Sequence, residues 1–121
     1  MASRVILLAD DDDMLLDLMK GVLEDEGHIV LTASDGAAAA RKAAERSPHL
    51  VVLDVDMPLM GGFGALEALK ADMRTRRIPV VMLTAHKSEQ HVRRAVELGA
   101  VGYIAKPFTA EGLLQRIRRF L

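Results

Sequence analysis

The sequence RVILLADDDDM, residues 4–14, joins an uninterrupted apolar run to four consecutive aspartates. An apolar run without polar alternation is typical of a strand that is buried on both faces of a sheet. Adjacent carboxylates repel one another, and this repulsion favours either protonation or a bound cation. The stretch therefore predicts a buried strand that leads into an acidic turn where positive charge is expected.

The size and composition of the chain bound the type of protein. It has 121 residues, of which 50% are hydrophobic and 27% are charged, so we expect residues 1–121 to form one globular domain. No apolar run reaches the roughly 18 residues that cross a bilayer, and the N-terminal sequence lacks the pattern of a secretory signal. With no cysteine, a disulfide framework and a thiolate metal site are excluded. We expect a cytoplasmic protein without a membrane segment.

Acidic and basic residues are unevenly distributed along the chain. Residues 1–60 contain 5 Lys/Arg and 12 Asp/Glu, whereas residues 61–121 contain 11 Lys/Arg and 5 Asp/Glu. Such segregation favours an acidic pocket and a basic surface in the folded protein. The arginine pairs at residues 76–77, 93–94 and 118–119 have no recognition helix or aromatic platform beside them, and the net charge is only -1. We therefore expect no direct contact with nucleic acid.

Strand-length apolar runs alternate with amphipathic segments of helical period along the whole sequence. We predict strands at residues 4–9, 28–33, 49–54, 78–84 and 101–105. We predict helices at residues 13–26, 36–46, 63–73, 88–98 and 109–120. Regular alternation with short connections predicts a parallel sheet that is covered by helices on both faces. Such α/β folds bind ligands outside the carboxyl ends of the strands.

Several side chains have an expected place in this scheme. Gly27 and Gly99 are at positions where helices commonly end, and Asp12 and Asp13 suit the start of the first helix. We expect its apolar face to contain Met14, Leu15, Leu18, Met19 and Val22. Gap filling in or near the core is expected for Met14, Met19, Met73 and Met82. Surface or strand-end positions without a role are expected for His28, His49 and His91.

The residues at the predicted strand ends suit phosphoryl transfer. They are Asp10, Asp11, Asp54, Thr84 and Lys106. Clustered carboxylates suit Mg²⁺, which prefers oxygen ligands, and Mn²⁺ is a possible substitute. An aspartate can attack a phosphoryl group, while a lysine and a metal ion offset the charge of that group. We therefore predict a metal-dependent site with Asp54 as the nucleophile.

Four motifs occur in an order and spacing that carry a resemblance. The segments ILLADDDD, VVLDVDMPLMGG, VVMLTA and GYIAKPF resemble the receiver domain of two-component response regulators, over residues 4–120. The resemblance implies a (βα)5 flavodoxin-like, doubly wound parallel sheet with strand order 2-1-3-4-5. It also implies that Asp54 takes a phosphoryl group from the phosphohistidine of a sensor histidine kinase or a histidine phosphotransfer protein. The resemblance further implies a signalling domain that catalyses its own phosphorylation and dephosphorylation and is not a stand-alone turnover enzyme.

The resemblance also assigns ligands for Mg²⁺ in this pocket. Asp11 and Asp54 would bind the metal directly, together with the backbone carbonyl of Asp56. Asp10 would act through a water molecule. Asp56, two residues after the phosphoacceptor, and His86, two residues after Thr84, are expected to tune the lifetime of the aspartyl phosphate.

For the output of the signal, the resemblance implies a path out of the pocket. Lys106 and Thr84 would bind phosphoryl oxygens, and Tyr103 would be the aromatic switch that follows Thr84. The bond between Lys106 and Pro107 is expected to be cis. The downstream partner or output domain would bind the face formed by residues 88–120. Val101 and Gly102 stand where relatives that dimerise through charge pairs carry acidic residues, so we do not expect that dimer.

Two alternatives use the same residues. The segment LDVDM resembles the nucleophile motif of haloacid dehalogenase phosphatases, but that family places this motif near its N-terminus, whereas here the acidic pair comes first. A phosphate-independent docking module with a receiver fold is the second alternative. The presence of all the expected pocket residues argues against it.

Overall fold

Five strands and five helices alternate along the part of the chain that the structure describes. The structure is a computed structural model, and it describes residues 3–85 and 89–121. The strands are β1 (Val5–Ala9), β2 (Ile29–Ala33), β3 (Leu50–Asp54), β4 (Val80–Thr84) and β5 (Gly102–Ala105). The helices are α1 (Asp13–Asp25), α2 (Gly36–Arg46), α3 (Gly61–Ala71), α4 (Glu89–Glu97) and α5 (Ala110–Arg118). The predicted order and type of the elements are confirmed.

All strand pairs are parallel, and the sheet order is β2-β1-β3-β4-β5. This is the expected order, in which β1 lies between β2 and β3 and the chain reverses direction across the sheet after β2. Asp54 is level with Leu83 of β4, and Thr84 is level with Ala105 of β5. The register therefore brings the polar residues at the strand ends to one edge of the sheet.

The core has two layers, one on each face of the sheet. On one face, Ile6 and Leu8 pack with the buried residues of α1 and α5. On the other face, Leu7 and Ala9 pack with those of α2, α3 and α4. Since successive side chains of a strand point to opposite faces, both sets must be apolar. This packing explains why the strands read as continuous apolar runs.

Residues typical of helix caps lie at several helix ends. The Asp12 carboxylate accepts a hydrogen bond from the Leu15 amide at the start of α1, and Asp13 adds negative charge to the first turn. The Thr109 hydroxyl accepts from the Gly112 amide at the start of α5. Gly27 and Gly99, which follow α1 and α4, have φ angles of 91° and 100°, a region that favours glycine. The helix-end positions predicted for Asp12, Asp13, Gly27 and Gly99 are confirmed.

The predicted apolar face of α1 is wrong in part. The buried residues of the helix are Leu16, Met19 and Leu23, whereas Met14 is 84% exposed and Leu18 is 60% exposed. The helix is rich in Leu and Met, so two faces satisfy a helical period and the pattern does not choose between them. Met73, predicted near the core, is also 79% exposed in the connection between α3 and β4, while Met82 is buried as expected.

Two histidines have a structural role that the sequence did not indicate. The Arg4 amide donates a hydrogen bond to His28 Nδ1 over 3.2 Å, and the Val5 amide donates to His49 Nδ1 over 3.0 Å. These residues immediately precede β2 and β3, the two neighbours of β1. The imidazoles therefore satisfy backbone donors at the start of β1.

Candidate functional site

Three carboxylates meet at the carboxyl ends of β1 and β3. Asp10 and Asp54 are buried, whereas Asp11 is exposed. One oxygen from each side chain lies within 4.8 Å of the others. Because β1 and β3 are neighbours, residues that follow or end these strands must lie side by side. The fold thus brings the predicted acidic cluster together.

Lys106 supplies positive charge to this cluster from the far side of β4. Its Nζ atom lies 2.8 Å from Asp10 Oδ2 and 3.2 Å from Asp54 Oδ1. The Lys106 amide also donates to the Thr84 carbonyl over 2.7 Å, which fixes the start of the loop between β5 and α5. The peptide bond between Lys106 and Pro107 is cis, as predicted.

Burial and neighbouring charge alter the acidity of Asp54. The pKa of Asp54 is raised from 3.8 to about 6, mainly by burial and next by the negative charge of Asp10. Lys106 opposes the increase through its charge and its hydrogen bond. For Lys106, burial lowers the pKa, but the hydrogen bond to Asp10 and the charge of Asp54 outweigh burial and raise it overall. The pocket therefore holds an ammonium cation against the Asp54 carboxylate, which burial makes costly to ionise.

The donor set of this cluster fits a hard divalent cation. All three side chains offer carboxylate oxygens, the ligands that Mg²⁺ prefers in proteins. A further positive charge would favour the ionised form of Asp54, whose pKa is raised to about 6. The residues present are thus compatible with Mg²⁺.

The remaining predicted residues occupy different positions around the cluster. Thr84 is fully buried at the end of β4, one residue beyond the level of Asp54. Tyr103 of β5 is half-buried and packs against the core layer under α3 and α4. Asp56 is exposed in the loop after β3, and its charge makes the smallest contribution to the raised pKa of Asp54. His86 lies outside the described residues.

An apolar groove that the sequence did not indicate opens beside Lys106. Leu15 of α1, Ala85 after β4, and Pro107 and Phe108 after β5 line it, and its volume is about 360 Å³. These residues lie far apart in the sequence, so only the packing of α1 against the loop after β5 creates the groove. It offers apolar surface next to a cation and two carboxylates.

Comparison with known proteins gives the family. The model of the response regulator receiver domain matches residues 6–118. The chain is 44% identical over 116 residues to the transcriptional regulatory protein CpxR of Escherichia coli, and this match covers 96% of the chain and 48% of CpxR. It is 39% identical over 116 residues to the DNA-binding dual master transcriptional regulator RpaA of Synechocystis sp., with coverage of 96% and 48%. The chain thus spans about half the length of the curated relatives it matches.

Solved structures have the same fold. The chemotaxis response regulator CheY4 of Vibrio cholerae superposes with a TM-score of 0.94 at 32% identity, over 99% of this chain and 100% of that chain. The receiver domain of the sensor histidine kinase PA1611 from Pseudomonas aeruginosa superposes with a TM-score of 0.89 at 27% identity, over 98% of both chains. That domain has a magnesium ion coordinated in its active-site cleft.

These matches decide between the alternatives that the sequence left open. The family match covers nearly the whole chain, and the acidic pair at the end of β1 precedes the Asp54 segment along the chain. Neither a haloacid dehalogenase phosphatase nor a degenerate docking module is favoured.

In the part of the chain that the structure describes, no helix combines the length and apolar character needed to cross a membrane. The chain belongs to the receiver domains of two-component response regulators.

Proposed function

We propose that Asp54 is the phosphoacceptor and that a phosphohistidine on a sensor histidine kinase or a histidine phosphotransfer protein is the donor. The single observation that supports this most is the position of the Lys106 ammonium, 2.8 Å from Asp10 and 3.2 Å from the buried Asp54. A cation placed between two carboxylates can move onto a phosphoryl oxygen when one carboxylate becomes phosphorylated. Residues 1–121 would act as one receiver module.

The transfer balances without a further reactant. An oxygen of the ionised Asp54 carboxylate attacks phosphorus, the P–N bond to the donor imidazole breaks, and that nitrogen takes a proton from solvent. Attack by water on the same phosphorus later releases inorganic phosphate and restores the carboxylate. The domain would thereby promote both its own phosphorylation and its own dephosphorylation, and each cycle would consume one donor phosphoryl group and release one inorganic phosphate.

Mg²⁺ would be held by Asp11, Asp54 and the backbone carbonyl of Asp56, with Asp10 acting through water; Mn²⁺ is a possible substitute. When bound, the metal would supply positive charge to the phosphoryl oxygens. The protein's own residues control the access of water and the charge balance in the pocket. Burial of Asp54 limits the access of water, and Lys106 balances negative charge on the side of the pocket that faces β5.

We propose that the signal leaves the pocket through Thr84 and Tyr103. The Thr84 hydroxyl would donate to a phosphoryl oxygen, and Tyr103 would turn toward the space that Thr84 leaves. Tyr103 already lies against the core layer beneath α4, so its movement would alter the face of residues 88–120, where an output domain or partner would bind. A two-state face of this kind responds to a local charge through differential contacts.

The groove beside Lys106 supports a protein donor. Leu15, Pro107 and Phe108 would contact apolar surface around the donor histidine and bring its phosphoryl group to Asp54.

The lifetime of the aspartyl phosphate is proposed to be tuned by Asp56, which is exposed in the loop that follows Asp54, and by His86. If Asp56→Asn and His86→Ala both leave the half-life unchanged, this part of the proposal is wrong.

The proposal is tested by incubating the protein with acetyl phosphate and recording its intact mass. We expect one phosphate to be added to the wild type in the presence of Mg²⁺, none in the presence of a chelator, and none to Asp54→Asn in either condition. Asp17→Asn, a change of an exposed carboxylate on α1, is the control and should be labelled like the wild type. Labelling of Asp54→Asn, or absence of labelling of the wild type, would overturn the proposal.

A further inference from the structure

The loop between β3 and α3, residues 55–60, has an unfavourable backbone conformation. Leu59 and Met60 have φ angles of 51° and 89°, and Gly61 follows with 65°. Positive φ angles are rare for residues with large side chains, because this backbone conformation is strained for them. Such strain persists only where surrounding contacts impose it. Since this loop begins directly after Asp54, the contacts that impose it bear on the phosphoacceptor.

The first turn of α2 makes these contacts. The Gly36 amide donates to the Pro58 carbonyl over 3.2 Å, and the Ala37 amide donates to the Leu59 carbonyl over 3.0 Å. The first amides of a helix have no partner within the helix, so they are available to an adjacent segment. The next amide, that of Ala38, donates to the Asp35 carboxylate over 2.7 Å in the usual capping arrangement. Helix α2 therefore holds the loop with donors that most helices leave to water or side chains.

Close backbone approach leaves no room for a side chain at Gly36. A Cβ atom there would lie 2.6 Å from the Gly61 carbonyl oxygen and 2.9 Å from the Leu59 carbonyl oxygen. Both are backbone atoms, so neither can rotate away. On the other side of the loop, a Cβ atom on Gly62 would lie 2.1 Å from the Asp54 carbonyl oxygen. Two glycines, one from α2 and one from α3, thus enclose the segment that carries the phosphoacceptor.

Asp56 lies between the fixed points of this segment. On its N-terminal side, the Val55 amide donates to the Leu83 carbonyl over 2.9 Å, and the Val55 carbonyl accepts from the Gly62 amide over 2.9 Å. On its C-terminal side, Pro58 and Leu59 are bound to α2. The position of the Asp56 carbonyl therefore depends on α2, an element that contributes no side chain to the pocket.

We propose that Gly36 and the first turn of α2 act as a positioning element for the phosphoacceptor loop, setting where Asp54 and the Asp56 carbonyl present their oxygens to a divalent cation. This inference rests on the proposed function, in which these oxygens hold Mg²⁺. Displacement of the loop by a side chain at Gly36 weakens metal binding without touching any metal ligand. Loss of a supporting contact of this kind typically reduces metal affinity about 10- to 100-fold.

Two variants test the inference, and Gly21→Ala is the matched control. Gly36→Ala places a methyl group against the loop, whereas Ala37→Pro replaces the amide hydrogen that binds the Leu59 carbonyl with a ring carbon, in the first turn of the helix, where proline is tolerated. Gly21 is in α1, and a Cβ atom added there would meet nothing within 4 Å, so the same Gly-to-Ala change should leave the pocket intact. Mg²⁺ affinity is measured by isothermal titration calorimetry without a phosphodonor, and labelling by acetyl phosphate is followed by intact mass.

We expect the dissociation constant for Mg²⁺ to rise about tenfold or more in both Gly36→Ala and Ala37→Pro, with no change in Gly21→Ala. Labelling at saturating Mg²⁺ should fall less than labelling at low Mg²⁺. Wild-type affinity for Mg²⁺ in Ala37→Pro, or in a folded Gly36→Ala protein, would overturn the positioning role. Absence of labelling of the wild type would instead overturn the proposed function, since the calorimetric measurement needs no phosphodonor.

Discussion

Replacement of Asp54 by Asn is expected to make the protein more stable at neutral pH, although it removes the proposed phosphoacceptor. Asp54 is 3% exposed, and its pKa is raised from 3.8 to about 6, first by burial and then by the charge of Asp10. At neutral pH the folded protein therefore ionises a carboxyl group in a place that disfavours the charge. A shift of about two pKa units at about 1.36 kcal/mol per unit gives an upper limit of about 3 kcal/mol. Asparagine has nearly the same shape and does not incur this cost.

The effect has a defined pH dependence. A group whose pKa is higher in the folded state contributes stability that is fully present below the unfolded value, here 3.8, and is lost as the pH rises through about 6. Near pH 4, the ionisation of Asp54 should therefore cause no difference in the free energy of unfolding between Asp54→Asn and the wild type. The stability of the variant relative to the wild type should then increase until about pH 7. Lys106 keeps its hydrogen bond to Asp10 in the variant, so its own ion pairing is only partly lost.

Urea unfolding at about pH 4, 5, 6 and 7.5, in the presence of a chelator, measures this difference in the free energy of unfolding. Asp17→Asn, the exposed control, should differ from the wild type by less than about 0.5 kcal/mol at every pH. At the highest pH, Mg²⁺ should reduce the difference in the free energy of unfolding between Asp54→Asn and the wild type, because a bound cation favours the ionised carboxylate of the wild type. A variant less stable than the wild type at that pH, or a difference independent of pH, would refute the reasoning.

Further predictions concern the lysine, the histidines and the core. Lys106→Ala should raise the pKa of Asp54 beyond about 6, so the pH profile of the acetyl phosphate labelling rate should move to higher pH; an unmoved profile would contradict the role of Lys106 in the pocket. His28→Ala and His49→Ala should each lower the free energy of unfolding by about 1 kcal/mol in urea titrations, because each leaves a backbone amide at the start of β1 without its acceptor. Ile117→Ala should cost about 2–5 kcal/mol by the same assay because Ile117 is fully buried, and a loss under about 1 kcal/mol would contradict its packing.

Much of the fold follows from local sequence patterns. Short apolar runs predicted all five strands, and the polar residues at their ends predicted the place of the pocket, because parallel strands present their carboxyl ends at one edge. The strand order and the detailed roles came from the resemblance of the motifs to receiver domains. Strand and helix boundaries differ by only a few residues from those predicted, as for α5, predicted at residues 109–120 and found at Ala110–Arg118.

What the sequence left undecided depends on contacts between residues far apart in the chain. A helical period in α1 was compatible with more than one buried face, and only packing against the sheet selected Leu16, Met19 and Leu23 over Met14 and Leu18.

The sequence by itself determined the elements, their order and the chemistry gathered at the strand ends, because these depend on the hydrophobic period and on residue type. Only the tertiary structure decided the raised pKa of Asp54 and the hydrogen bonds that His28 and His49 accept at the start of β1. The same is true of the hydrogen bond between the Gly36 amide and the loop after β3. Burial, charge proximity and close backbone approach are properties of pairs of segments. They exist only once α2, β1 and β3 have packed together.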